Sequence, residues 1–299
     1  MKQILLVPDS FKGTLTSRQV CETMAEQLHL VFPEADITSL PVADGGEGSV
    51  DAFLAAAGGE RVKLPVTGPF GEPVRGFYGL LPDGETAVLE MAACAGLPLA
   101  EGRLDPERAT TYGVGELILD AIRRGRRKVI LGLGGSCTND GGVGAAAALG
   151  AKFSRQDGTE FLPTGGTLQE IAALDCTPVA KALEGVELVA MCDIDNPLYG
   201  ENGAAYVFAP QKGADGPMVE RLDEGLRHLG QVAGRCLGRD LSQMPGAGAA
   251  GGLGFGMAAF CGARLRMGID VVLDTLGFDK RLPSADLVFT GEGLSLIHI

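Results

Sequence analysis

Lys128-Val-Ile-Leu-Gly-Leu-Gly-Gly-Ser-Cys-Thr-Asn-Asp-Gly-Gly-Val-Gly-Ala-Ala-Ala-Ala-Leu-Gly150 is the stretch that decides the fold. Residues 129–133 are a short apolar run bounded by glycines, the pattern of a buried parallel strand. Gly134, Gly135, Gly141, Gly142 and Gly144 then surround Ser136, Thr138, Asn139 and Asp140. Residues 145–149 read as a helix with no room for side chains larger than alanine. Strand, glycine-rich turn and helix start together predict an anion site of backbone N–H groups backed by a helix dipole. The stretch is not a P-loop, since no Gly-Lys-Ser/Thr follows. It is not a dinucleotide fingerprint either, since Cys137 stands where the third glycine belongs. A tight strand-to-helix turn that uses glycine for sterics alone is the other reading. Asp140 favours a ligand: a carboxylate beside an anion cradle calls for a cation between them, and a magnesium–phosphate pair supplies one.

Composition narrows the function. At 299 residues with 45% hydrophobic content, the chain can fill two domains or one large α/β domain. Tryptophan is absent and the net charge is −13, which argues against nucleic acid and anionic membranes as partners. The 46 glycines are about twice the usual share of roughly 7%, and they cluster in loops. Seven scattered cysteines without a C-x-x-C spacing read as reduced thiols of a cytoplasmic protein. Three histidines, two of them on helix faces, give little support to a His-metal or Ser-His-Asp enzyme. The N-terminus runs straight into a strand with no signal peptide, and no apolar run approaches the ~20 residues of a membrane span.

Further strand ends carry chemistry. Residues 4–7 form a strand that ends in Pro8-Asp-Ser-Phe-Lys-Gly13, and Thr16 with Gln19 makes a capping box for the helix that follows. Asp9, Ser10 and Lys12 therefore sit where open α/β sheets bind ligands, or form a capped turn. Residues 37–40 are a second strand. Asp44 and Glu47 follow it among glycines and either cap the helix at 49–57 or hold a hydroxylated substrate or magnesium. Residues 62–66, 74–81 and 86–91 form an antiparallel meander with a hairpin signal at Asp83-Gly84. A helix over 111–124 ends at Gly125. Thr167 with Glu170 starts a short helix. Asp193, Asp195 and Asn196 follow a buried strand and are hard oxygen ligands suited to magnesium, with Asp195 read as turn chemistry. Residues 204–208 read as a strand. Lys212, held between proline and glycine, reads as placed for function. A long helix follows Pro217. The cluster 245–256, with Gly246, Gly248, Gly251 and Gly252, implies close backbone approach to a ligand or to a neighbouring helix. A last strand runs through residues 286–291, with Glu292 just beyond it.

Taken together, Pro8-Asp-Ser-Phe-Lys-Gly13, Val42-Ala-Asp-Gly-Gly-Glu-Gly48, residues 134–144, Cys192-Asp-Ile-Asp-Asn-Pro-Leu198, Pro210-Gln-Lys-Gly-Ala214, residues 245–254 and Thr290-Gly-Glu-Gly293 resemble the glycerate kinase family of the bacterial, non-P-loop type. The resemblance runs in order over nearly the whole chain. It implies an ATP-dependent phosphotransferase acting on D-glycerate with Mg2+, and 2-phosphoglycerate as product. It also implies two α/β domains around a cleft. One is Rossmann-like with a parallel sheet, from residues 1–62 plus 284–299; the other is an inserted mixed α/β domain, residues 63–283. After Gly293 the chain reads Leu294-Ser-Leu-Ile-His-Ile299, which does not resemble the family. The expectation is a Rossmann-like domain incomplete at its C-terminus, poorly stable and inactive, because missing strands leave backbone groups unpaired.

Within that frame, Gly134, Gly135, Ser136, Thr138, Gly141, Gly142, Gly246, Gly248, Gly251 and Gly252 are expected to hold ATP. Asp140, Asp193 and Asn196 are expected to hold magnesium. Asp9 or Asp44 orients or deprotonates the glycerate hydroxyl, and Lys12 or Lys212 offsets charge. Ser10, Glu47, Asn139 and Glu292 are expected to contact glycerate. A monomer or homodimer is expected. A kinase for another small sugar acid, or a non-catalytic sugar-acid or nucleotide sensor, is the alternative.

Overall fold

The computed structural model describes residues 2–11, 14–42, 46 and 48–291. The expectations for Lys12, Asp44, Glu47 and Glu292, and for the tail after Gly293, lie outside the described residues.

The chain is α/β. β1 (Gln3–Pro8) leads to helix α1 (Ser17–Val31), β2 (Asp36–Ser39) and helix α2 (Ser49–Ala57). The meander follows as β3 (Glu60–Thr67), β4 (Pro73–Leu80) and β5 (Thr86–Glu90). Helix α3 (Tyr112–Arg123) delivers the chain to β6 (Lys128–Gly132) and helix α4 (Val143–Ala148). A small antiparallel sheet contains β7 (Lys152–Ser154), β8 (Glu160–Phe161) and β9 (Ala173–Asp175), and β10 (Glu187–Met191) comes next. The remaining elements are α5 (Ala204–Phe208), α6 (Gly216–Leu237), α7 (Ala249–Cys261), β11 (Arg264–Arg266), α8 (Gly268–Leu276) and β12 (Leu287–Gly291). No helix among the described residues is long and apolar enough to cross a membrane.

Two sheets position the site. One is parallel, in the order β12-β1-β2, and joins both ends of the described chain. The other has six strands in the order β11-β10-β6-β5-β4-β3. Its β11, β10, β6 and β5 are parallel, and the β5-β4-β3 edge is the antiparallel meander.

Alternation along the strands explains how the sheets join. In β6, Val129 and Leu131 enter one core with Leu117, Ile118 and Val143, while Ile130 points the other way. There it meets Val88 and Val189 from its own sheet, Phe53 of α2, Val271 and Val272 of α8, and Leu5 and Val7 of β1. Ile4 and Leu6 face the opposite side and cluster with Cys21 of α1. A period of two along β1 thus seats the smaller sheet on the larger through α2 and α8.

Local signals hold at most ends. Thr16 and Gln19 form the capping box of α1, Gly125 leaves α3 at φ 86°, and Asp215 caps α6, with Pro217 in its first turn. Two local readings are corrected. Residues 204–208 are helix α5, not a strand. Six apolar residues between Gly203 and Pro210 carry no usable period, and burial of Ala204 and Ala205 in the main core decides the outcome. The short helix read from Thr167 is a 3-10 turn over Gly165–Glu170, capped one turn earlier by Thr164, with Thr167 at its third position.

The two glycine-rich stretches pack on each other, backbone to backbone. A methyl group on Gly256 would stand 2.6 Å from the Gly141 carbonyl oxygen and 2.7 Å from the Gly142 Cα. We predict that Gly256→Ala destabilises the fold by about 1–3 kcal/mol through overpacking. Gly216→Ala is the control, because a methyl there meets nothing within 4 Å, and its effect should stay within about 0.5 kcal/mol. Urea unfolding of both variants measures the difference, and equal effects would reject the close packing.

Candidate functional site

Three strand ends open on one cleft of about 1180 Å³. β1 contributes Asp9 and Ser10, β6 contributes Gly134, Gly135 and Ser136, and β10 contributes Cys192 and Asp193. Lys212, Ala249 and Ala250 complete that wall, and the start of α1 and one side of α2 form the other. Ligands bind outside the carboxyl ends of parallel strands for this reason: the chain turns there and leaves backbone groups facing the gap.

Among the described residues, Lys212 is the buried cation of the cleft. Its side chain is 2% exposed, at the end of a short 3-10 turn, Pro210–Lys212. Its Nζ donates to Ser136 Oγ at 2.8 Å and to the Thr138 carbonyl at 2.7 Å. The ammonium therefore staples the glycine loop at two points. Burial pulls its pKa down to about 8, against the opposing pull of Cys137 and Asp140.

Asp140 is fully buried and is absent from the cleft wall. Its carboxylate accepts from Thr111 N and Oγ1, both at 2.8 Å, from Gly142 N at 3.0 Å and from Gly144 N at 3.3 Å. Burial raises its pKa, and those four donors work against the rise. The acid thus organises the turn into α4 and ties it to the start of α3. Both oxygens are turned onto N–H and O–H donors, so the side chain does not suit a metal as it stands. Asn139 is also fully buried, off the cleft wall, and neither its amide oxygen nor its nitrogen has a hydrogen-bond partner in the structure.

Asp193 is exposed on the cleft wall, and its Oδ1 accepts from Gly268 N at 2.7 Å. Asn196 lies off the cleft and donates from Nδ2 to the Asn202 carbonyl at 2.8 Å. Among the described residues there is no group of three or more His, Cys, Asp or Glu side chains placed to hold a metal. Asp9 and Asp193 do bring hard oxygen donors to one cavity, which fits magnesium entering with phosphates and not a resident metal cage.

The predicted phosphate glycines divide by position. Gly134, Gly135 and Ser136 reach the cleft. Thr138 lies just beneath, with its Oγ1 donating to the Ala250 carbonyl at 3.4 Å. Gly141, Gly142, Gly251 and Gly252 meet one another instead: Gly141 N donates to the Gly251 carbonyl at 3.0 Å, and a methyl on Gly252 would stand 2.8 Å from the Gly141 Cα. Gly246 lies against the Cys192 sulfur, and Gly248 donates to the Asn196 carbonyl at 2.9 Å.

Sequence reading passed over two residues that build the site. Thr111 holds Asp140, and its Oγ1 accepts from Ala145 N at 2.9 Å. Glu90, 2% exposed at the end of β5, accepts from Gly48 N at 3.0 Å and Val50 N at 3.2 Å, and so holds the start of α2. An acid at the end of an otherwise apolar strand was the available signal for Glu90. Thr111 carried none, because its partner is 29 residues away.

The Lys212 shift fixes a pH dependence. Between about pH 8 and 10.5 the unfolded chain holds more protons at this site than the folded chain, so stability rises with pH across that window; the penalty is complete below it. Lys212→Met removes the dependence. The unfolding free energy of Lys212→Met relative to the parent is expected to fall from about pH 7.5 to about pH 10. A flat or rising difference would show that the ammonium is not buried.

Sequence and structure comparisons with known proteins agree on a family. The Glycerate kinase family profile matches residues 4–295. The chain is 45% identical over 292 residues to a glycerate kinase of Bacillus subtilis (strain 168), covering 97% of this chain and 76% of that protein. It is 43% identical to a glycerate 2-kinase of Escherichia coli (strain K12), covering 97% and 77%. A crystal structure assigned as glycerate kinase 2 of Salmonella typhimurium LT2 superposes with a TM-score of 0.94 at 43% identity, over 98% of this chain and 78% of that one. A profile match over nearly all of the described chain, joined to a matching fold, makes this protein a kinase that belongs to the glycerate kinase family.

Proposed function

We propose that the protein transfers the γ-phosphoryl group of ATP to the C2 hydroxyl of D-glycerate, giving 2-phosphoglycerate and ADP. The observation that carries this reading is the buried Lys212 ammonium bound to the glycine loop, on the wall of an acid-lined cleft. Phosphoryl transfer asks a protein for position and charge neutralisation more than for covalent chemistry. Relatedness to a protein named glycerate 2-kinase supports the C2 position.

In this reading the backbone of Gly134 and Gly135 and the Ser136 side chain receive the phosphates. An ammonium has three N–H donors. Two of them fix Ser136 and Thr138, and the third is left for a phosphoryl oxygen. Magnesium entering with ATP would supply charge neutralisation at the phosphates. Asp193 is the described residue suited to hold it, on the same wall as the glycine loop. The glycerate hydroxyl attacks the γ-phosphorus as the bond to the β,γ-bridging oxygen breaks, and its proton passes to a carboxylate. Asp9 lies in the cleft for that role, with Oδ1 accepting from Ser10 N at 2.6 Å; Asp44 is the other candidate, and Lys12 is a second candidate for charge neutralisation. The cytoplasm, where ATP is made and thiols stay reduced, suits the free cysteines.

Phosphorus NMR of a reaction with ATP, magnesium and D-glycerate tests the proposal. A phosphomonoester split into a doublet by the single C2 proton is expected. A triplet would assign the terminal hydroxyl, and no phosphomonoester would reject the reaction. Lys212→Ala should lower kcat by about 10²-fold or more, as loss of a transition-state donor does; an unchanged kcat would remove Lys212 from the chemistry.

A further inference from the structure

Ala250 is the only non-glycine residue at positive φ among the described residues, at φ 54° and ψ 41°. It opens a left-handed turn with Gly251 at φ 67° and Gly252 at φ 89°, inside α7. Left-handed backbone presses Cβ against the following carbonyl, a cost that glycine does not bear. The two glycines are dictated by packing, because a methyl on Gly251 would overlap the Thr138 carbonyl and one on Gly252 would meet the Gly141 Cα at 2.8 Å. At position 250 glycine would suit the backbone better still, yet the chain carries alanine there, and Ala250 lines the cleft. Strain held at a site by its surroundings is a pointer to function.

The wall is fixed. Thr138 Oγ1 donates to the Ala250 carbonyl, Gly141 N donates to the Gly251 carbonyl at 3.0 Å, and Gly252 N donates to the Gly248 carbonyl at 3.3 Å. It also stands beside the charge that faces the phosphoryl group: the Thr138 that grips Ala250 accepts from Lys212 Nζ at 2.7 Å. A methyl offers no hydrogen bond and reads only volume. The triphosphate needs donors, not a volume gauge. The acceptor does need one, since a three-carbon acid differs from its four-carbon homologues by a single hydroxymethylene unit.

We propose that the Ala250 methyl, held in the left-handed turn beside Lys212, sets the size of acid that the kinase accepts and excludes aldonic acids longer than three carbons. The inference rests on the proposed transfer to glycerate. A change of one methylene in a pocket is worth about 10–200-fold in kcat/KM.

Ala250→Gly tests it. The ratio of kcat/KM for D-erythronate or L-threonate to that for D-glycerate is expected to rise about tenfold or more. The melting temperature should rise as the left-handed strain is relieved. Ala250→Ser, which keeps a side chain of similar bulk, should retain the preference for glycerate. A ratio within about twofold of the parent in Ala250→Gly would overturn the proposal. So would a raised KM for ATP with an unchanged ratio, which would assign the turn to the nucleotide. Binding affinities for the same acids, measured by calorimetry with a non-hydrolysable ATP analogue, test the wall without turnover. A parent that binds glycerate selectively but transfers no phosphoryl group would overturn the reaction and leave the wall standing.

Discussion

Everything at this site depends on two lengths of main chain touching with no side chain between them. The loop after β6 and the left-handed start of α7 meet through Gly141, Gly142, Gly251, Gly252 and Gly256. Such contact costs conformational entropy, because glycine has the most freedom to lose on folding. In return the two segments share a hydrogen bond from Gly141 N to the Gly251 carbonyl. Most of these glycines therefore serve the rigidity of the site. Gly134 and Gly135, one turn earlier, are the ones that face the cavity.

Two buried charges then hold the loop in shape from opposite sides. Asp140 accepts four hydrogen bonds beneath it, and Lys212 donates two from the cleft side. Burial pushes both toward neutrality, the acid upward and the amine downward. The hydrogen bonds are what make each tolerable as an ion. A loop fixed in this way has little left to reorganise when a charged group arrives, and fixed dipoles do more for a developing charge than mobile ones.

How far the sequence foretold this depends on range. The capping box at Thr16, the bounds of α2, the hairpin at Asp83-Gly84 and the parallel strand at residues 129–133 are local patterns, and each was legible. Lys212 was legible as placed, from its proline and glycine neighbours, but its partners lie more than 70 residues away and were not. In the sequence Asp140 looks like a metal ligand because half of its donors are distant: Gly142 N and Gly144 N are local, but Thr111 N and Oγ1 come from the start of another helix. In the sequence the glycines at residues 246–252 fit close backbone approach to a ligand or to a neighbouring helix alike, and only the fold separates those uses. Helix α5 failed for a related reason: five apolar residues take whichever form the core around them accepts.

The acidity of the chain now has a physical place. A net charge of −13 would repel a triphosphate if charge acted as a sum over the surface. At physiological ionic strength exposed charges are screened beyond about 8 Å, so the field inside the cleft is set by what lines it. Asp9 and Asp193 are there, and so is an ammonium already stripped of water. A bare anion would meet the acids unfavourably and a bare cation would meet the ammonium. A phosphate chain carrying its own divalent ion satisfies both at once. The proposed metal–nucleotide ligand thus accounts for two signs of charge on one wall of the cleft.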